Sequence, residues 1–384
     1  MKILKRHIED PFKAALQPNK VLVLLGPRRV GKTVLLEKFM EGLDQPLLFM
    51  SGEDLLTQQA LERRSITHYQ QLIGDHKLLI IDEAQKIPEV GKVLKLMVDH
   101  IKGLAIIATG SSAFDLEQHT GEPLTGRKKT FYLFPFSELE YGQVEPNWQK
   151  PEYLSQRLVY GNYPELIHLP DNAARAEYLQ EMVSSYLLKD ILAFDGLRNA
   201  NKIFRLLQLV AFQVGNEISY HELATQLGIS RNTVEKYLDL LSKVFILHRL
   251  GGFSRNLRKE VTKNSKWYFY DNGIRNAIIA NLTPLDLRND VGQLWENYIV
   301  SERMKKQAYE KMLVYNFFWR TYDQQEIDWI EDRGGKLYAY EFKWNERKKV
   351  SPPIAWRKAY PASAFQVIHP GNYLPWLQEQ ETLY

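Results

Sequence analysis

The run GPRRVGKT at residues 26–33 sets two glycines, a lysine and a threonine at the spacing G-x-x-x-x-G-K-S/T. It directly follows the apolar VLVLLG (21–26) and directly precedes the helical VLLEKFM. Between a strand and a helix, these residue types suit the phosphates of a nucleotide. Gly26 and Gly31 let backbone amides turn inward, and the start of the helix adds a partial positive charge. Pro27, Arg28, Arg29, Val30 and Val34 complete the candidate phosphate-binding segment. Lys32 is the type that reaches β- and γ-phosphates, and Thr33 offers a hydroxyl to magnesium. The pattern points to ATP and Mg2+ as ligands.

Three further elements fit the same chemistry. LLIIDEAQ ends a buried strand in Asp82 and Glu83. Asp82 suits magnesium, directly or through its water shell, and Glu83 suits polarising the attacking water. Another apolar strand ends in ATGSS, where Ser111 is the candidate sensor of the γ-phosphate, with Thr109 and Ser112 as rivals. Arg127, in LTGRKKTFYLFPF, is the candidate arginine finger, supplied in trans to stabilise charge on the transferring phosphoryl group.

A second constellation lies near the C-terminus, in LWENYIV, QEIDWI and AYEFKW. Glu296 falls on a helix and Asp328 on a short strand. Glu341 and Lys343 stand two apart on the next strand, so their side chains share a face. Asp328 and Glu341 are candidate metal ligands, Glu296 a helix acid, Lys343 a group that orients a nucleophile or offsets charge, and Glu326 a spare acid. Such sites support metal-assisted phosphodiester hydrolysis. The arrangement resembles that of PD-(D/E)XK nucleases, many of whose relatives keep the fold without the activity, so cleavage stays open.

GPRRVGKT, LLIIDEAQ, ATGSS and GRKKTFYLFPFSELEY, in that order, resemble the prokaryotic AAA+ ATPases that carry a C-terminal domain of uncharacterised function. YGNYPEL, YFYDNGI and GQLWENYIVSE resemble recurring segments of that second domain. The resemblance covers nearly the whole chain. It implies ATP binding, an AAA+ core and a homo-oligomer, because AAA+ sites are usually completed between subunits.

Between these sites lies ISYHELATQLGISRNTVEKYLDLLSKVFIL (218–247). Ser219 suits a helix cap, Gly228 ends that helix and Ser230 caps the next. Two short helices joined by LGIS read as helix-turn-helix, with Arg231, Asn232 and Thr233 where recognition residues meet DNA. The alternative use of such a unit is packing or dimerisation. From Arg249 to Asp271 six basic residues stand against two acidic, an excess equal to the whole chain's net charge of +4. That stretch could form a basic wing, or a solvated hairpin.

The elements that must position these residues follow from periodicity. VLVLLG, PLLFMS (46–51), KLLIID (77–82) and GLAIIATG (103–110) read as buried parallel strands alternating with helices, the signature of an α/β P-loop sheet. The expected order is an AAA+ ATPase domain at 1–145, a helical connector at 146–212, a winged-helix-like module at 213–275, and a nuclease-like α/β domain at 276–384. The absence of cysteine excludes disulfides, thiolate nucleophiles and cysteine zinc sites. MKILKRHIED lacks the apolar core of a secretory signal, and no apolar run approaches the ~20 residues of a membrane span, which points to a cytoplasmic protein. The expectation is an ATPase acting on or regulated by DNA. Its alternative is a nucleotide-dependent switch for a protein partner, with a non-catalytic C-terminal half. A pure transcription regulator would leave the ATPase elements without a task.

Overall fold

The apolar runs VLVLL, LLFMS, LLIID and AIIATG become strands β1 (Val21–Leu25), β2 (Leu47–Ser51), β3 (Leu78–Asp82) and β4 (Ala105–Gly110). The computed structural model describes the chain except residues 1–3, 44–45, 112–123, 147–148, 188–199, 255–264, 322 and 380–384. The rival sensor Ser112 and the basic residues Arg255, Arg258, Lys259 and Lys263 therefore lie outside the described residues. Two units emerge, Met1–Pro135 with Lys243–Phe245, and Phe136–Ser242 with Ile246–Tyr384.

In the first unit the strands form one parallel sheet in the order β2-β3-β4-β1-β5. β1, β3 and β4 are buried throughout, which is why they read as unbroken apolar runs. The fifth strand, β5 (Lys128–Tyr132), has the sequence KKTFY and sits on the sheet edge, so only Phe131 in it is buried. It carries no continuous apolar signal and escapes a reading by periodicity. The α/β class with a parallel sheet is as the sequence leads one to expect.

The second unit holds helices at Lys150–Tyr160, Asn172–Glu181 and Ala200–Phe212, then the pair Tyr220–Leu227 and Arg231–Lys243. The turn between that pair is capped as its sequence requires. Ser219 accepts from the Glu222 amide at 3.3 Å, Gly228 is left-handed, and Ser230 accepts from the Thr233 amide at 3.1 Å. Strands β6 (Glu217–Ile218), β7 (Leu247–Gly252) and β8 (Ser265–Phe269) surround the pair in sequence. After the helix Val291–Glu310 come β9 (Tyr315–Arg320), β10 (Glu326–Arg333) and β11 (Lys336–Phe342), then the helix Ile354–Ala359 and β12 (Ala364–Ile368).

All seven of these strands belong to one sheet, ordered β12-β11-β10-β9-β7-β8-β6. β9, β10 and β11 are antiparallel neighbours, and β12 runs parallel to β11. The segments 213–275 and 276–384, read from sequence as separate modules, are joined here by a short parallel pairing of Gly251 and Gly252 with Phe317 and Phe318. Trp295, Trp329, Trp356 and Trp376 are fully buried and anchor this unit. Burying large aromatic surface is among the strongest apolar contributions a side chain makes. Among the described residues no helix is long and apolar enough to cross a membrane.

The recurring segments acquire a structural task within this unit. Asn162 donates from its amide to Asp271 at 2.7 Å and from its side chain to Glu302 at 3.0 Å. Asn297 brackets the Phe269 backbone and donates to Asn272 at 2.7 Å. YGNYPEL, YFYDNGI and GQLWENYIVSE are thus tied into one buried polar network. Such a network specifies a unique packing only when nearly all its members are partnered.

Candidate functional site

At the carboxyl edge of the parallel sheet, β1 ends and the loop 26–31 begins. Gly26 has no room for a side chain, since a Cβ there would lie 2.0 Å from the Leu133 carbonyl oxygen. Gly31 sits at φ 90°, a left-handed conformation open to glycine, and starts the helix Lys32–Glu41. Pro27, Arg28, Arg29 and Val30 form the loop between these glycines, with Arg29 also at positive φ, and Val34 lies exposed in the helix's first turn. Lys32 is buried and donates to the Gly26 and Pro27 carbonyls, each at 3.0 Å.

The second motif meets the first here. Thr33 Oγ1 donates to Asp82 Oδ2 at 3.0 Å, across 49 positions of sequence. Thr109 donates its hydroxyl to the other oxygen of Asp82 and accepts the Glu83 amide at 3.0 Å. Glu83 occupies a left-handed turn, φ 50°, that ends β3. Gln85 donates from Nε2 to the Glu83 carboxylate and, at 3.0 Å, to the hydroxyl of Ser111, which directly follows β4. The structure therefore gathers Lys32, Thr33, Asp82, Glu83, Thr109 and Ser111 on one sheet edge.

Arg127 is elsewhere. Its carbonyl accepts from the amide of Val21, at the opposite end of β1 from the loop, and its guanidinium pairs with Asp99 at 2.5 Å. With five residues in β1 at ~3.3 Å each, the two ends are well separated. Within one subunit Arg127 does not reach the loop.

Two contributors carry no sequence signal of their own. Arg6 is buried, with its guanidinium donating to the Val30 carbonyl at 2.7 Å and to the Phe134 carbonyl at 2.6 Å. It holds the loop's backbone from a segment that reads only as a polar N-terminus. Gln85 falls inside LLIIDEAQ, but its task depends on Ser111, far along the chain.

The C-terminal constellation also assembles. Asp328 Oδ2 accepts from the Phe342 amide at 2.9 Å and lies 3.3 Å from Lys343 Nζ, which lies 2.5 Å from Glu341 Oε2. The register of β10 against β9 shifts between Ile327 and Ile330, so Asp328 sits in an irregularity that re-aims its side chain. Glu296 accepts from the Tyr268 hydroxyl at 2.7 Å and faces Lys266 Nζ at 3.7 Å, while Glu326 pairs with the same ammonium. Lys266 and Tyr268 come from β8 and were missed by sequence reasoning. Lys266 reads as one more cation in a basic stretch, yet is only 1% exposed.

Burial, and then the charge of Asp328, push Glu296 up to about 7 and Glu341 up to about 8, with Lys266 and Lys343 respectively pulling the other way. Burial disfavours the Lys266 ammonium, but Glu296, Asp328 and Glu326 more than offset it and hold the group charged. Among the described residues no three acidic or histidine side chains converge as metal ligands, and Lys343 bridges Asp328 and Glu341, the pair read from sequence as the metal site.

The helix-turn-helix residues Arg231 and Asn232 are exposed at the start of their helix, and Thr233 is half-buried beside its cap. Arg231 and Asn232 are thus available to a ligand.

Comparison with known proteins finds three family models along the chain. An AAA domain model matches residues 18–142, a Domain of unknown function (DUF8612) residues 151–286, and a Domain of unknown function (DUF4143) residues 291–383. The chain is 24% identical over 356 residues to an uncharacterized protein of Mycobacterium tuberculosis, covering 91% of this chain and 76% of that one. It is 25% identical over 378 residues to one of Methanocaldococcus jannaschii, covering 93% and 82%, and 23% identical over 342 residues to one of Haemophilus influenzae, covering 83% and 80%.

Among solved structures, a DNA replication initiation factor overlaps 61% of this chain and 84% of its own at a TM-score of 0.27 and 13% identity. A Signal Transduction ATPase with Numerous Domains from Pyrococcus horikoshii overlaps 78% and 45% at 0.32 and 12%. Likenesses of that size decide nothing about this chain. The class rests on the AAA match together with the parallel sheet: the first unit carries an AAA-type P-loop domain, and that class implies nucleotide binding.

Proposed function

We propose that this chain hydrolyses ATP in its first unit and that DNA is bound by, and regulates turnover through, its second. The observation that carries the ATPase reading is the 3.0 Å hydrogen bond from Thr33 to Asp82, which unites two motifs distant in sequence beside a helix start. The residues present fit ATP and Mg2+. The loop 26–31 leads straight into a helix start, and a hydroxyl and a carboxylate converge where a hard cation takes oxygen ligands. Bound Mg2+ would supply charge neutralisation across β- and γ-phosphate oxygens.

In this reading Thr33 and Asp82 hold the ion, the loop 26–31 and Val34's turn enclose the phosphates, and Lys32 exchanges its two loop carbonyls for phosphate oxygens. Glu83 takes a proton from the attacking water. Ser111 donates its hydroxyl toward the γ-phosphate. Arg127 acts only across a subunit boundary, as an arginine finger in a homo-oligomer, because its own subunit keeps it at the far end of β1. The decisive test is steady-state ATP turnover with Lys32→Ala. Turnover should fall to background, and a variant as active as the parent would sink the site.

The DNA part is supported by the order of elements in the second unit. A capped helix pair is followed by strands β7 and β8, and residues 255–264 between those strands carry four of the basic residues. Helix-turn-helix units with such an arrangement place the second helix in a major groove. The helix Val291–Glu310, three antiparallel strands, a helix and a parallel fourth strand support a nuclease-like core. No cleavage step is assigned to it, since Lys343 and Lys266 already neutralise its acids.

That same neutralisation favours the alternative, a nucleotide-dependent switch that docks a protein partner on a non-catalytic C-terminal half. DNA affinity measured against salt separates the two. Several phosphate contacts make log affinity fall steeply with log salt, and a partner switch shows no such slope at a defined site.

A further inference from the structure

In the turn that follows β3, three polar contacts join Glu83 and Gln85 to one another and to Thr109 and Ser111. The Glu83 backbone is pinned by the hydrogen bond that its N–H donates to the Thr109 hydroxyl at 3.0 Å, which leaves its carboxylate as the movable part. That carboxylate is held by Gln85 Nε2, and the same nitrogen donates to Ser111 Oγ at 3.0 Å. An amide nitrogen has two hydrogens, so both are committed. The orientation of the amide follows from its partner. An ionised carboxylate only accepts, so the nitrogen faces Glu83 and the oxygen faces away. That oxygen, Gln85 Oε1, is buried and has no hydrogen-bond partner among the described residues. A buried carbonyl without a donor is costly and calls for an explanation.

We propose that Gln85 is a positioning residue that links Ser111 to Glu83, so that capture of the γ-phosphate by Ser111 re-aims the carboxylate that activates water. Ser111 accepts from Gln85 and keeps its own hydroxyl hydrogen to give to a phosphate oxygen. Drawing Ser111 toward that oxygen weakens the shared bond, lets the amide turn, and frees Glu83 from its clamp. The spare oxygen Oε1 then gains a donor in the attacking water. With the γ-phosphate absent, the clamp keeps Glu83 from activating water unproductively. Gln85 lies on the 3-10 turn Ala84–Lys86, directly after Glu83, and Ser111 directly follows β4, the neighbour of β3 in the sheet. Two adjacent strand ends thereby carry the two halves of the relay.

The inference rests on the ATPase reading and is tested so that the two fail differently. The full chain is compared as parent, Gln85→Ala, Gln85→Glu, Ser111→Ala and the double variant Gln85→Ala with Ser111→Ala. ATP turnover and equilibrium binding of a fluorescent ATP analogue are both measured. Gln85→Ala should bind nucleotide within about threefold of the parent, while kcat falls about tenfold or more, the scale of losing a well-placed base. Gln85→Glu keeps the size but loses both donors, so its kcat should fall at least as far. The double variant should be no slower than the slower single variant, because one relay is broken once. Parent-like kcat in Gln85→Ala, additive losses in the double variant, or a loss of nucleotide binding in both Gln85 variants would each overturn the relay. A parent without turnover, unaffected by Lys32→Ala, would instead sink the ATPase reading.

Discussion

Arg6 stands 24 residues before Val30, and holds its carbonyl at 2.7 Å and that of Phe134 at 2.6 Å from one buried guanidinium. A planar fork with several donors can bridge two carbonyls in fixed geometry, and an ammonium cannot reproduce that fork. Arg6→Ala should therefore cost about 1–3 kcal/mol through buried carbonyls that lose a donor. Arg6→Lys should recover only part of the loss. Urea unfolding followed with and without ATP reads both, and an unchanged midpoint in Arg6→Ala would show that the bridge holds nothing. Gly26 argues similarly. A methyl there meets the Leu133 backbone at 2.0 Å, and backbone cannot swing aside. Gly26→Ala should abolish nucleotide binding in a binding titration while Gly103→Ala, which has open space but a strained φ, should leave binding near that of the parent. At this scale the sequence was legible where a motif names both type and spacing, as in GPRRVGKT and LLIIDEAQ. It was silent on Arg6, Gln85 and Lys266 because each does its work against a partner distant along the chain. A single sequence lists cations and amides without saying which carbonyl or carboxylate they meet.

Strands and helices were legible in proportion to how far one environment surrounds them. β1, β3 and β4 are buried on both faces and announce themselves, whereas β5 sets one buried residue, Phe131, among half-buried neighbours and an exposed Lys129 and does not. The pairing of β7 with β9 rests on two residues from each strand, too short to leave a pattern. β10 carries a prediction that belongs to the element. Its Glu331 is fully buried and receives Arg303 at 2.6 and 2.8 Å, Gln307 at 2.8 Å and Trp329 at 2.9 Å. Burial pushes this carboxyl up, but the Arg303 and Arg333 charges overcome it and set it down to about 2. A depressed pKa in the folded state means that the unfolded chain takes up the proton first. The stabilisation is therefore complete above about 4.5, the ordinary value, and drains away as pH falls toward about 2. Glu331→Gln should flatten that acid limb in unfolding followed by circular dichroism. It should also cost about 3–5 kcal/mol at neutral pH by stranding a buried guanidinium. A parent whose stability does not change between pH 4.5 and 2 would contradict the assignment.

For the molecule as a whole, coupling between the two units is read by nucleotide turnover measured against DNA. The first unit supplies a reaction with a clean readout, and the second supplies exposed Arg231 and Asn232 at the head of a capped helix, with a basic segment following. If DNA is the ligand, adding duplex or branched DNA should raise ATP turnover, and the effect should weaken as salt rises, because phosphate contacts draw their affinity from counterion release. Each cation removed from such an interface lowers the salt slope by about 0.9. Arg231→Ala combined with Lys263→Ala should accordingly weaken DNA binding and reduce the slope by roughly 2, leaving DNA-free turnover untouched, since neither residue belongs to the P-loop unit. An indifferent double variant would remove the helix pair from the DNA-binding role and leave it as packing. Turnover that ignores DNA at every salt concentration would shift the assignment to the protein-partner switch. The carboxylate cluster would then serve as a neutralised, interlocked part of the seven-stranded sheet, with Lys266 of β8 fastening β10 to the helix Val291–Glu310.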